Sequence, residues 1–114
     1  MAYYRIDKNL PLKISEFDLV STVTTLLNLF SMEVNQKNIV IHLDIESQFT
    51  DKENLIKNDL NRFSVIFITI FDFMIKNKTK EGCTYIYIQY YDEDSIHIVF
   101  EDDDFQVGYN TLHY

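Results

Sequence analysis

The chain has 114 residues, 46% of them apolar and 25% charged, with a net charge of -8. That length and balance fit one globular domain with a modest core and do not fit a disordered chain. The acidic balance argues against a nucleic-acid phosphate backbone or an anionic membrane surface as the main partner, and leaves a protein surface or a cation.

The opening residues, "MAYYRIDKNL", contain no apolar run, so no secretory leader is expected there. The stretch "FDLVSTVTTLLNLFSMEV" places Leu19, Val23, Leu26, Leu27, Phe30 and Val34 on one stripe at helical spacing, with Asp18 as a plausible N-cap. In "NIVIHLDIE" the side chains alternate. Ile39, Ile41, Leu43 and Ile45 face one way, and Val40, His42, Asp44 and Glu46 the other, as in a half-buried strand. "SQFTDKENLIKND" reads as a loop.

The next stretch, "LNRFSVIFITIFDFMIKNK", pulls two ways. Its β-branched and aromatic content favours strand, whereas its length favours a buried helix, and length decides for helix. Phe63, Ile66, Phe67, Ile70, Phe71 and Met74 then form one broad face. Thr69, Phe73 and Lys76 lie together on another. The apolar run inside it is too short to span a bilayer and carries Asp72, so no membrane insertion is expected. Cys83 is the single cysteine, which excludes an internal disulfide and a cysteine-based zinc cluster. It is compatible with a cytoplasmic or other reducing compartment.

"CTYIYIQYY" and "SIHIVF", joined by "DEDS", read as an antiparallel hairpin. Ile86 and Ile88 share its core face with Ile96, Ile98 and Phe100. Tyr85, Tyr87, Gln89 and His97 fall on the opposite face. The order helix, strand, helix, strand, strand implies an α+β fold: a two-layer α/β sandwich with helices packed on one face of a mixed, mostly antiparallel sheet. After the hairpin come four acids, Glu101, Asp102, Asp103 and Asp104, which lack the glycine and spaced ligands of a calcium loop and read as a solvated turn. The three histidines are scattered, so no metal set and no nucleophilic triad is expected.

Three stretches in order resemble sensor histidine kinases. "YYRIDKNLPLKISEFDLVSTVTTLLNLFSMEVNQKNIVIHLDIE" is similar to the passage from the dimerisation helix into the ATPase domain. "NDLNRFSVIFITIFDFMIKNKT" resembles that domain's N-box helix, with Asp59 and Arg62 as its Asp-x-x-Arg lead-in. "IHIVFEDDDFQ" falls where the family has its Asp-x-Gly-x-Gly box. The resemblance implies a Bergerat-type (GHKL) ATP-binding fold, or its first half. It implies residues 1–17 as a linker segment and 18–114 as the ATPase-like domain.

It also implies a nucleotide site at Thr69, Phe73, Lys76 and Asp102. At the first two positions the family places asparagines, the second of which holds magnesium; Lys76 would approach phosphate and Asp102 would read the adenine amino group. Here a phenyl ring replaces the metal ligand, Asp104 and Gln106 replace the two glycines, and Asp103 and Asp104 would repel phosphate. The family's second glycine box, lid and last strands have no counterpart before Tyr114, and the phosphoacceptor histidine box is missing too.

The resulting expectation is a degenerate, non-catalytic relative with no bound cofactor, serving as an interaction or scaffold subunit. It would dock through its open sheet face and the unpaired edge of a sheet lacking its last strands, with Tyr85, Tyr87 and His97 as interface residues and a basic patch on the protein partner. The alternatives are a piece of an active sensor histidine kinase using ATP and magnesium, and a pseudo-ATPase that binds nucleotide through Asp102 without hydrolysing it.

Overall fold

The computed structural model describes residues 12–46, 55–78, 81–92, 95–103 and 106–112. Strand β1 (Ile14–Asp18) leads directly into helix α1 (Leu19–Asn28). Asp18 caps that helix as its spacing predicts: the side chain accepts a hydrogen bond from the Ser21 N–H at 2.8 Å. The single helix expected over 17–34 is in fact two. After α1, the Leu29 and Phe30 N–H groups bond back three residues, to Leu26 and Leu27, and α2 (Ser31–Gln36) starts afresh. The bend preserves the apolar stripe and lets Phe30 meet Phe71 edge-on, with ring centroids 4.9 Å apart.

Asn38 then takes a left-handed conformation (φ 55°), which asparagine tolerates, and turns the chain into β2 (Ile39–Ile45). Just before it, Lys37 donates from Nζ to the Ile75 carbonyl at 2.7 Å. That carbonyl lies in the last turn of the long helix α3 (Leu60–Asn77) and also accepts from the Lys78 N–H at 3.3 Å, so the end of α2 adds a cation and a second donor at the C-terminus of α3.

Two segments expected as loop and linker contain strands. Leu55–Asp59, inside the stretch expected to be loop, is a strand, β3. Most of β1 lies in the segment expected as linker. The two pair antiparallel, with Phe17 opposite Ile56. Each is five residues long with few large apolar side chains, so neither carries a legible alternation, and each takes its backbone partners from the other. The remaining linker residues, 1–11, lie outside the described residues.

Asp59 closes β3 and opens α3. Its carboxylate accepts from the Arg62 N–H and from the Lys13 N–H, both at 3.0 Å. These backbone donors, the Arg62 bond foremost, hold the carboxyl below its ordinary value of 3.8. A depressed carboxyl contributes stability above its unfolded value and loses it as pH falls through the folded value. Asp59→Ala is therefore expected to cost about 1 kcal/mol at pH 7 and less in acid below both values. Urea unfolding of the two proteins at neutral and acidic pH tests this, and an equal deficit at both would refute it.

The main sheet has the order β2-β4-β5-β6, with β4 (Gly82–Asp92), β5 (Ser95–Glu101) and β6 (Gln106–Leu112). The β2–β4 pair is parallel and the other two antiparallel. The α+β sandwich is thus as expected, with helices on one face of a mixed, mostly antiparallel sheet. The final strand was not: the sheet does not stop at β5. Of the four acids, Glu101 ends β5, and Asp102 and Asp103 follow it; β6 pairs antiparallel along β5, where the sequence reading expected no further strand. Asp104 lies outside the described residues.

The core lies between helices and sheet. Phe63, Phe67, Phe71, Met74 and Ile75 are buried on α3, against Ile86, Ile88, Ile96, Ile98 and Phe100. Ile75 joins a face on which the helical spacing had placed the half-buried Ile66 and Ile70. Phe63, Phe67 and Phe71 sit one turn apart, and Phe100 meets Phe67 at 5.1 Å. Among the described residues no helix is long and apolar enough to cross a membrane.

Candidate functional site

On α3 the residues Thr69, Phe73 and Lys76 share the solvent face, as their spacing requires. Thr69 and Lys76 engage their own helix. The Thr69 hydroxyl donates to the Val65 carbonyl at 2.6 Å. The Lys76 ammonium pairs with Asp72 at 3.1 Å, one turn back, at the surface. The Phe73 ring is 56% exposed. A magnesium ion needs oxygen ligands, and a phenyl ring has none to offer. The phosphate-and-metal half of a nucleotide site therefore does not fit these side chains.

At the far end of the β4–β5 ladder the chemistry differs. Asp102 follows Glu101, whose partner is Tyr85; Thr84 precedes Tyr85. Asp102 and Thr84 therefore lie at the same end of the ladder. The Thr84 hydroxyl is fully buried and has no hydrogen-bond partner among the described residues. Thr84 was not singled out by its sequence, because a threonine in a strand is ordinary until its burial is known. A carboxylate and a nearby hydroxyl suit a heterocyclic amine better than a phosphate. Near the start of β4, the Lys78 ammonium and an Asp103 carboxylate oxygen lie close to Gly82: a Cβ there would come within 3.5 Å and 3.7 Å of them. No cluster of three potential metal ligands occurs among the described residues.

The opposite face of the sheet carries the other expected residues. His42 on β2 stacks on Tyr85 on β4 (4.8 Å, 14°), and Tyr85 lies parallel to Tyr87 (6.2 Å, 9°). His97 lies on the same face, two strands across from His42. Its Nδ1 shares a hydrogen bond with Asn110 Oδ1. Gly108 leaves room for the His97 ring: a Cβ there would come within 3.2 Å of it. The neighbouring Cys83 foremost, and then desolvation, push the Tyr85 phenol up from its ordinary value. The arrangement brings Tyr85 and Tyr87 together and adds His42; His97 lies on the same face opposite Gln89.

No protein-family model and no curated protein matches the sequence. Solved structures do. The Acinetobacter baumannii histidine kinase AdeS superposes with a TM-score of 0.69 at 21% identity, over 84% of this chain and 45% of that one. The chain has the histidine-kinase ATPase fold. The nucleotide-free catalytic domain of histidine kinase ThkA gives 0.66 at 17% identity, over 78% of this chain and 57% of that one. ThkA in complex with the response regulator TrrA gives 0.64 at 17% identity, over 76% and 25%. The chain thus spans about half the length of the AdeS chain and of the ThkA catalytic domain. In the histidine-kinase ATPase fold of this chain, the helix face bearing Phe73 and the strand end bearing Asp102 are the places where the resemblance puts a nucleotide.

Proposed function

We propose that this histidine-kinase-like ATPase domain acts by docking on another protein and not by turning over ATP. The observation that carries the reading is the division of the sheet: helices cover one face, and the other presents the His42–Tyr85–Tyr87 row with Tyr85 and Val40 exposed. Tyrosines are rigid, amphipathic and enriched at protein interfaces. Phe73 supports the non-catalytic part, since it stands where the resemblance expects a magnesium ligand. The setting the fold likeness supports is signal transduction, where a neighbour of the same fold has been solved with a response regulator.

The test is recovery of companions from native extract with wild type and with Tyr85→Ala/Tyr87→Ala. Wild type is expected to carry a stable companion and the double variant to lose it. Losses of about 1–2 kcal/mol per tyrosine are expected where the ring is central to the contact. A double variant that folds and recovers the same companions at the same yield would overturn docking through this face.

A further inference from the structure

We infer that the sheet face opposite the helices takes an arginine-bearing segment of the partner protein, with the guanidinium group continuing the His42–Tyr85–Tyr87 stack. This rests on the docking reading above and adds the chemistry of what docks. Two carboxylates flank the rings: Asp44 lies directly across the ladder from Tyr87, and Glu101 from Tyr85. Side-chain parity puts all of these on one face. The four strands carry no lysine or arginine, so no strand residue offsets the charge of the two acids.

A second copy of this chain is a poor occupant. Face-to-face association would bring the Asp44 and Glu101 carboxylates of both copies into one interface, on a protein of net charge -8. A cationic occupant gains from both features. Arginine fits better than lysine, because its guanidinium is planar and weakly hydrated. It stacks on aromatic rings and presents a fork of N–H groups to a carboxylate. Glu101 is already oriented by the Gln106 side-chain amide, which donates to Oε2 at 2.9 Å and leaves Oε1 as acceptor. The two parallel tyrosines are spaced along β4 as alternate residues, which matches alternate side chains of an extended segment laid along the strand.

The experiment is an NMR titration of the labelled full chain with a ten-residue peptide of alternating arginine and valine. Lysine and glutamate versions are run alongside. The arginine peptide is expected to shift the amides around His42, Asp44, Tyr85 and Tyr87 and to bind more tightly than the lysine version. The glutamate version should not bind. Asp44→Lys is expected to weaken arginine-peptide binding at least about fivefold. Glu16→Lys makes the same charge change on β1, in the other sheet, and is expected to leave binding nearly intact. Tyr87→Phe should keep most of the affinity that Tyr87→Ala loses.

Equal losses in Asp44→Lys and Glu16→Lys would mean general charge attraction and overturn the inference. So would shifts on the helical side, or no arginine-peptide binding at millimolar concentration. If companions from extract still depend on Tyr85 and Tyr87 while the arginine peptide ignores the face, docking stands and only the arginine chemistry falls.

Discussion

Phe71→Ala is expected to lower the unfolding free energy by about 3–5 kcal/mol. Phe71 has no solvent exposure and sits where three parts of the chain meet. Phe30 from the α1–α2 bend packs edge-on against it, Phe67 lies one turn back on α3, and Phe100 of β5 approaches at 6.5 Å. Truncation removes the buried ring and leaves a hole whose walls come from a helix, a sheet and a bend that cannot close together. A domain of this size has only about 5–15 kcal/mol in total, so the loss is a large share. Phe73→Ala, two residues along the same helix, is the internal control. Its ring is more than half exposed, and the cost there should stay below about 1 kcal/mol. Urea unfolding of both variants reads the difference; equal costs would mean that the helix does not present the face described.

The same pair of residues shows what was legible in the sequence. Apolar residues three and four apart over a long stretch define a helix face whatever their β propensity, so the Phe63–Phe67–Phe71 row and its exposed counterpart Thr69–Phe73–Lys76 could be read from spacing. The outer row of Tyr85 and Tyr87 followed from strict alternation. What was hidden depended on partners far away in the chain. β1 and β3 are short and mostly polar, and exist as strands because they pair with each other. β6 reads as a weak tail, with Gly108 in its middle, and becomes a strand because β5 offers an edge. The break at Leu29 and Phe30 is set by the packing of Phe30 on Phe71, which no local pattern encodes. At the candidate sites, spacing grouped the α3 residues correctly. The contributions of Thr84 and His42 needed the strand register, because one is defined by burial and the other by a cross-strand ring.

Purified protein is expected to show no magnesium-dependent ATP turnover above the uncatalysed background. Phosphoryl transfer leaves a protein little to do except position the phosphates and offset their charge, through a metal and cationic groups. On the face of α3 where that would happen, Phe73 supplies no oxygen, the Thr69 hydroxyl is donated to its own helix, and Lys76 is already paired with Asp72. Asp103 adds negative charge at the turn after β5, which opposes phosphate at any nearby position. Phe73→Asn returns one amide oxygen but changes none of the other three features, so it is expected to remain inactive. The strand end is a separate matter, because Asp102 and the buried Thr84 hydroxyl could hold a heterocyclic amine without any metal. Whatever affinity for adenosine or ATP exists should therefore be the same with and without magnesium, as isothermal titration would show. Magnesium-dependent phosphate release that disappears in Asp102→Asn would contradict this reading of the α3 face, and with it the view that the domain works by docking alone.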